Sequence, residues 1–285
     1  LESTEEYAVT LAASVADQGE PDDADARLAA VLADQPEDIQ ARYQYRRPAE
    51  TLAFFGIEPG MTVMEALPGG GWYTRILLPY LGEDGQLIGA NYPADIYRLF
   101  GFMTEEQIAA QETWVADWTA RAEGWRGEGD AAVAAFAFGS LPEELRGTAD
   151  AALLIRALHN LARFEDEGGF LTTALANVHA VLKPGGIVGV VQHEARPEMP
   201  DDWASGDAAY LKRSFVIGAF ESAGFEFVEA SDINANPLDQ PTTEDSVWRL
   251  PPSLRGSDDD DELRARMQAI GESHRMTLKF RKPAG

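Results

Sequence analysis

The stretch of sequence that decides the fold is "MEALPGGGWYT", residues 64–74. It places three consecutive glycines between an apolar run typical of a buried strand and a segment typical of a helix. In a doubly wound sheet, ligands bind at the carboxyl ends of the strands where strand order reverses, and the first strand-to-helix turn lies there. Glycines let the backbone approach a ligand and expose the amides at the start of the helix. The stretch therefore predicts a ligand-binding loop. The alternative is a turn whose glycines serve only helix–sheet packing.

The chemistry of this loop argues against a phosphate-binding site. It lacks the third glycine of G-x-G-x-x-G, which disfavours a nicotinamide enzyme, and it lacks the Lys-Ser/Thr pair of a P-loop. Glu65 stands near the end of the first strand, three residues before Pro68. A carboxylate there suits a ligand with positive charge or several hydrogen-bond donors better than a pyrophosphate. S-adenosylmethionine, with its sulfonium and amino groups, meets that description.

Strand-like and helix-like segments alternate on both sides of the loop. Strands are predicted for the run up to residue 67 and for residues 85–92, 131–141, 149–158, 187–193, 226–233 and 275–283. Helices are predicted within residues 48–56, 71–82, 104–122, 170–186 and 208–225. This alternation indicates an α/β protein with a mostly parallel sheet covered by helices on both faces.

Two segments stand outside the alternation. Residues 1–45 predict an N-terminal flank of two or three short helices, one of them "DADARLAAVLA" (23–33), capped by Asp22 or Asp23. Residues 46–285 then form one domain. Within it, the proline-rich interval of about 234–273 is too long for an ordinary loop, so we expect a functional cover or a partly disordered segment.

Composition narrows the range of partners. The chain has 285 residues, of which 48 are acidic and 23 basic, and its net charge of −25 argues against a nucleic-acid partner. A solvated acidic coat is one interpretation of this charge, and attraction of a cationic ligand is the other. There is no apolar run long enough for a membrane span. The absence of cysteine excludes disulfides, thiolate nucleophiles and Cys-ligated zinc.

Several motifs carry a family resemblance. The segments "VHAVLKPGGIVGVVQH" (178–193) and "SAGF" (222–225) resemble class I S-adenosylmethionine-dependent methyltransferases. The segment 46–82 with its P-G-G-G-W-Y-T loop is similar to a little-characterised bacterial family of predicted methyltransferases. So are "ALHN" (157–160), "INANP" (233–237) and "AIGESHRMTLKF" (269–280). The resemblance implies a Rossmann-like class I methyltransferase fold, with a seven-stranded sheet whose last strand is antiparallel.

The same resemblance suggests a function and a location. We expect a methyltransferase that uses S-adenosylmethionine on a small molecule; the rival is a binding protein that keeps the fold without catalysis. Members of the family often carry a secretory signal, so we expect an exported or periplasmic protein, with a cytoplasmic one as the alternative. The start at Leu1 agrees with a trimmed signal, and a cloning choice would explain it equally.

Candidate site residues follow from their places along the sheet edge. Asn91 stands where most class I methyltransferases have an acid for the ribose hydroxyls, and the acid usual after the third strand is also absent. The expected cofactor residues are Glu65, Pro68, Gly69, Gly70, Gly71, Tyr73, Asn91, Ser140 and Asn160. The expected substrate residues are Tyr45, Arg46, Asn234, Asn236 and Arg275.

Two histidines are the candidates for a general base. His159 follows the fourth strand and is the first choice; His193 ends the fifth strand and is the second. The structural alternative for His159 is an imidazole that caps a helix or satisfies a loop carbonyl. We expect no metal, because no tight ligand motif is present. A shared site completed by Glu194 and Asp239 is the alternative.

Overall fold

The computed structural model describes residues 23–285. The predicted helices before residue 23, and the proposed cap at Asp22, lie outside these residues. In the described part of the flank, three helices precede the sheet: α1 (Asp23–Ala33), α2 (Glu37–Gln40) and α3 (Tyr43–Arg46). Leu28 and Leu32 of α1 are buried, and the Tyr43 hydroxyl donates to the Leu32 carbonyl at 2.9 Å, so the flank packs on the sheet domain through apolar contacts.

One mixed sheet organises the domain. Its strands are β1 (Thr62–Ala66), β2 (Gln86–Asn91), β3 (Ala132–Ala137), β4 (Ala149–Ile155), β5 (Leu182–Ala195), β6 (Leu211–Lys212), β7 (Glu226–Ser231) and β8 (Arg275–Arg281). The order is β3-β2-β1-β4-β5-β8-β7, and the two-residue β6 pairs with the end of β5. This confirms the predicted α/β sheet and adds β6, which is too short to leave a sequence pattern.

The direction of the strands creates the crevice. The chain starts at β1, moves outward to β3 and then returns to β4 on the other side of β1, so strand order reverses between β1 and β4. Strands β1 to β5 are parallel, whereas β8 runs antiparallel to both β5 and β7, as predicted. Consequently the amino end of β8 lies at the same edge as the carboxyl end of β5, with Arg275 opposite His193.

Helices cover both faces of the sheet because side chains alternate along each strand. In β1, Met64 belongs to one buried apolar cluster and Val63 to the other. The Val63 face is covered mainly by α1, α4 (Pro48–Phe55), α5 (Thr74–Leu81) and α7 (Trp114–Trp125). The Met64 face is covered mainly by α8 (Leu158–Arg163), α10 (Phe170–Val181) and α11 (Arg213–Ser222).

The remaining helices are short or lie in the cover. They are α6 (Glu105–Ala109), α9 (Glu165–Gly168) and α12 (Asp261–Ile270), with 3-10 turns at Ala94–Phe100, Glu143–Leu145 and Val247–Arg249. The helix predicted over 104–122 is thus divided into α6 and α7. The proline-rich interval between β7 and β8 folds over the sheet edge, where residues 247, 248 and 250–253 line a cavity.

Candidate active site

A cavity of about 250 Å³ lies at the carboxyl edge of β1, β4 and β5, and we call it the histidine cavity. The sheet side contributes Leu67 after β1, Ile155 and Arg156 at the end of β4, and His193 in β5. The other walls are His159 of α8, residues 247 and 248 and 250–253 of the cover, and Glu272 and Ser273 before β8. The cavity therefore sits where strand order reverses, the usual ligand position in such sheets.

The two candidate histidines meet in this cavity. Their ring centroids are 5.7 Å apart. His193 Nδ1 lies 2.5 Å from the Ser273 hydroxyl, which orients the ring. His159 Nδ1 is buried without a hydrogen-bond partner among the described residues. Ser273 therefore holds the His193 ring, whereas His159 interacts with Gln192 and keeps Nδ1 without a partner among the described residues.

The environment keeps both imidazoles neutral. Burial, followed by the positive charge of Arg156, lowers the pKa of His159 to about 4. Burial, followed by the charges of His159 and Arg156, holds the pKa of His193 well below its usual value. A neutral imidazole keeps one nitrogen as an acceptor, so each ring can accept a hydrogen bond from a ligand at pH 7.

Arg156 is a cavity residue that sequence reasoning missed; its place directly after the fourth strand was the available signal. It adopts a φ of 58°, and neighbouring Leu67 adopts 51°. Such left-handed conformations are uncommon for residues with side chains and cluster at functional sites. The Arg156 guanidinium makes no hydrogen bond or ion pair with any residue in 23–285, and its Nε is buried.

The glycine bend serves packing and leaves an open surface at the same time. At Gly71 a Cβ atom would lie 2.3 Å from the Trp125 ring, so this position needs glycine for packing. Gly69 and Gly70 are exposed, and a Cβ at Gly70 would meet nothing within 4 Å. The Gly71 amide donates to the Pro68 carbonyl at 2.8 Å, whereas the amides of Gly69 and Gly70 have no partner within the described chain.

Glu65 connects β1 to the helix that follows the bend. The Thr74 hydroxyl donates to Glu65 Oε2 at 2.6 Å, and the carboxyl group is buried. Burial raises the pKa of Glu65 to about 7, although the Thr74 hydrogen bonds oppose this. Tyr73, at the start of the same helix, is buried, and its hydroxyl lies 3.5 Å from the Arg46 carbonyl oxygen.

On the β2 side of the crevice, tyrosine hydroxyls lie next to the asparagine side chains that were predicted to bind the cofactor. Asn91 Nδ2 donates to the Tyr97 hydroxyl at 3.0 Å. The Asn160 side chain lies close enough to the Tyr92 hydroxyl to oppose the burial that raises the pKa of Tyr92. Ser140, after β3, is exposed, and its amide donates to the Ala137 carbonyl. The predicted residues on this side lie near one another, but two of them already have tyrosine neighbours.

The predicted substrate residues lie around the buried carboxylate of Glu272 rather than around the two histidines. Arg42, Arg46 and Arg275 all pair with the buried carboxylate of Glu272, and we call these four residues the Glu272 cluster. Arg275 also donates to the Tyr45 carbonyl.

The predicted asparagines join the same network. Asn234 donates to the hydroxyls of Thr51 and Thr277, and Asn236 donates to the carbonyls of Ile270 and Glu272. Tyr45, Asn234, Asn236 and Arg275 line a separate pocket of about 210 Å³, which shares Glu272 with the histidine cavity.

The acids considered for a metal site are engaged elsewhere. Glu194 accepts two hydrogen bonds from Arg213, at 2.8 and 2.9 Å. Asp239 pairs with Arg249 at 2.7 Å and accepts from the Tyr210 hydroxyl. Among residues 23–285, no group of three or more His, Asp or Glu side chains is placed to hold a metal ion.

Comparisons with solved structures place the fold. The [4+2]-cyclase SpnF aligns with a TM-score of 0.50 and 19% identity over 84% of this chain and 81% of its own. Geranyl diphosphate methyltransferase in complex with S-adenosylmethionine aligns with a TM-score of 0.49 and 15% identity over 95% and 94%. The 1,6-didemethyltoxoflavin-N1-methyltransferase of Burkholderia thailandensis aligns with a TM-score of 0.45 and 16% identity over 99% and 92%. No family model and no curated protein matches the sequence.

Sheet order and structural similarity together define a Rossmann-like fold of the class I methyltransferase type. At these sequence identities the structural similarity defines only the fold. The reaction has to be inferred from the residues of the candidate site. Within the described range, no helix has the length and apolar character to cross a bilayer.

Proposed function

We propose that this chain is an S-adenosylmethionine-dependent methyltransferase that acts on a small molecule. The observation that supports it best is the pair of neutral histidines in a cavity at the switch point of the sheet, beside a glycine bend with two open amides.

The residues around the bend fit the methionine end of the cofactor. Gly69 and Gly70 present unpartnered amides to open space, and a side chain at position 70 would occupy that space. Asn91 and Asn160 are the amides available for the ribose side, and a ribose hydroxyl bound to Asn91 would replace the Tyr97 hydroxyl there. When bound, the cofactor supplies an electrophilic methyl group.

His159 would remove the proton from the acceptor. Methyl transfer to a neutral oxygen or nitrogen requires in-line placement and loss of a proton. The proton would go to the imidazole of His159, which lines the histidine cavity. His193, held by Ser273, is the second candidate because it borders the same cavity. Burial and the charge of Arg156 keep His159 deprotonated at neutral pH.

The second candidate function is small-molecule binding without methyl transfer. It is favoured by the hydrogen bond of Asn91 to Tyr97 and by the proximity of Asn160 to Tyr92, since both asparagines were predicted to bind the cofactor. The similar fold of a protein described as a [4+2]-cyclase agrees with the view that this architecture is not tied to one reaction.

Calorimetric titration with S-adenosylmethionine and S-adenosylhomocysteine separates the two functions. Binding in the micromolar range, lost in Gly70→Asp, supports the methyltransferase. Gly218→Asp is the matched control, because Gly218 also has nothing within 4 Å of an added Cβ and lies in α11, away from the bend. Absence of heat at millimolar ligand, with the circular dichroism of a folded protein, would support the binding protein instead.

A further inference from the structure

The polar groups around the histidine cavity carry more positive than negative charge. Arg42, Arg46, Arg156 and Arg275 lie close enough to interact, and Glu272 is the carboxylate among them. Glu272 already pairs with the other three arginines and acts on Arg156 only through space, so Arg156 has no direct ion pair among the described residues. In a chain of net charge −25, this concentration of arginines is a local exception.

An unpaired arginine facing a cavity is unfavourable until a ligand arrives. Burying a charge without a partner costs free energy, and a bound anion would offset that cost. The guanidinium offers planar donors that match the two oxygens of a carboxylate. The left-handed backbone at Arg156 adds to the cost of this arrangement, which is typical of positions kept for function.

Some residues of the histidine cavity wall are apolar, although the wall as a whole exposes more polar than apolar surface. They include Leu67, Ile155, Val247, Trp248 and Leu250, and Trp248 lies 6.4 Å from the His159 ring, centroid to centroid. A ligand seated here would therefore combine one anionic group with a compact apolar body.

We propose that the histidine cavity binds a small organic carboxylate through Arg156, with the apolar part of the ligand against the cover residues around Trp248. The identification of this carboxylate as the methyl acceptor rests on the proposed function; the binding itself does not. His159, three positions after Arg156, is then beside the bound molecule.

Calorimetry with benzoate and its neutral analogue benzamide tests the site. At pH 7.5 we expect benzoate to bind at least about tenfold more tightly than benzamide, since a hydrogen-bonded charge pair is worth more than a neutral one. Arg156→Met should abolish this preference, and Arg156→Lys, which keeps the charge without the planar fork, should retain part of it. Arg146→Met, at an exposed arginine paired with Glu143, should leave it unchanged.

A second titration distinguishes a carboxylate of the methyl acceptor from the carboxylate of the cofactor as the ligand of Arg156. Benzoate should bind with the same affinity when S-adenosylhomocysteine is saturating. Mutual exclusion would assign Arg156 to the carboxylate of the cofactor and would overturn the acceptor proposal.

Other results overturn the carboxylate site itself. They are equal affinity for benzoate and benzamide, benzoate binding that persists unchanged in both Arg156 variants, and no binding of benzoate by the folded wild type. Benzoate binding without any binding of the cofactor would leave the carboxylate site standing and remove the methyl-transfer function.

Discussion

The Glu272 cluster and the histidine cavity are neighbouring groups of polar side chains that differ in how completely their members are paired. In the Glu272 cluster, the carboxylate pairs with three arginines, and Asn234 and Asn236 are fully engaged nearby. In the histidine cavity, Arg156 Nε and His159 Nδ1 are buried without partners in the described chain. A completed network stabilises the fold, whereas an incomplete one leaves groups free for a ligand.

Loss of the central carboxylate should have the largest effect on stability. Glu272→Gln leaves buried arginines without their counter-charge, and we expect it to lower the free energy of unfolding by about 3–5 kcal/mol. Urea denaturation at pH 7 measures this loss. Glu229→Gln, which removes a surface pair with Lys279, is the control and should cost less than about 1 kcal/mol. Equal losses in the two variants would contradict the structural role of the cluster.

The pH dependence of the wild type should reflect the same carboxylate. Burial alone would raise the pKa of Glu272, but the arginines, led by Arg275, hold it at about 2. The unfolded chain takes up this proton near pH 4.5, so the stabilisation is present above that pH and is lost as pH falls towards 2. Glu272→Gln should lack this component of the acid transition.

Glu65 is a buried carboxyl group without an arginine partner among the described residues. Its replacement should therefore increase the free energy of unfolding, whereas replacement of Glu272 should lower it. The raised pKa of Glu65, about 7, means that folding loses stability as pH rises from about 4.5 to 7, because the unfolded carboxyl ionises first. Glu65→Gln removes that loss and can still accept from Thr74. We expect a gain of about 1–3 kcal/mol at pH 8 and little change at pH 4, measured by urea denaturation. Destabilisation at pH 8 would contradict this.

The effect of burial and of the Arg156 charge on the histidine cavity should be detectable in the titration of His159. Nuclear magnetic resonance of the imidazole should give a pKa of about 4, and Arg156→Met should raise it by removing a nearby positive charge. The unfolded histidine takes up its proton near pH 6.5, so this group reduces stability as pH falls from about 6.5 to 4. Arg146→Met should leave the titration unchanged. An ordinary pKa in the wild type would show that His159 is solvated.

The smallest expected change in stability is that of Arg156→Met, which we compare with Arg275→Met. Arg156→Met removes a guanidinium without an ion pair among the described residues, so we expect the free energy of unfolding to stay the same or to increase. Arg275→Met breaks a buried pair with Glu272 and should cost about 3–5 kcal/mol. Urea denaturation of both variants measures the difference, and similar losses would remove the distinction between the two groups.

Local patterns were enough to predict most of the sheet. The apolar runs predicted β1, β2 and β4 and the core of β5, because buried parallel strands are recognisable from their composition. The glycine bend was recognised for the same reason, since three glycines at a strand end have a direct conformational meaning. The helix predicted over 104–122 has an interruption between α6 and α7 that its composition did not indicate.

The sequence by itself determined the α/β class, the seven longer strands, the glycine bend and the candidate histidines, because each depends on residues close together in the chain. Only the tertiary structure decided which polar residues are paired. Arg46 and Glu272 are 226 positions apart, and their contact depends on β8 running antiparallel to β5. The cover brings Trp248 to His159 in the same way. Arg156 became a candidate because long-range folding left it, alone among these four arginines in the described chain, without a direct ion pair to Glu272.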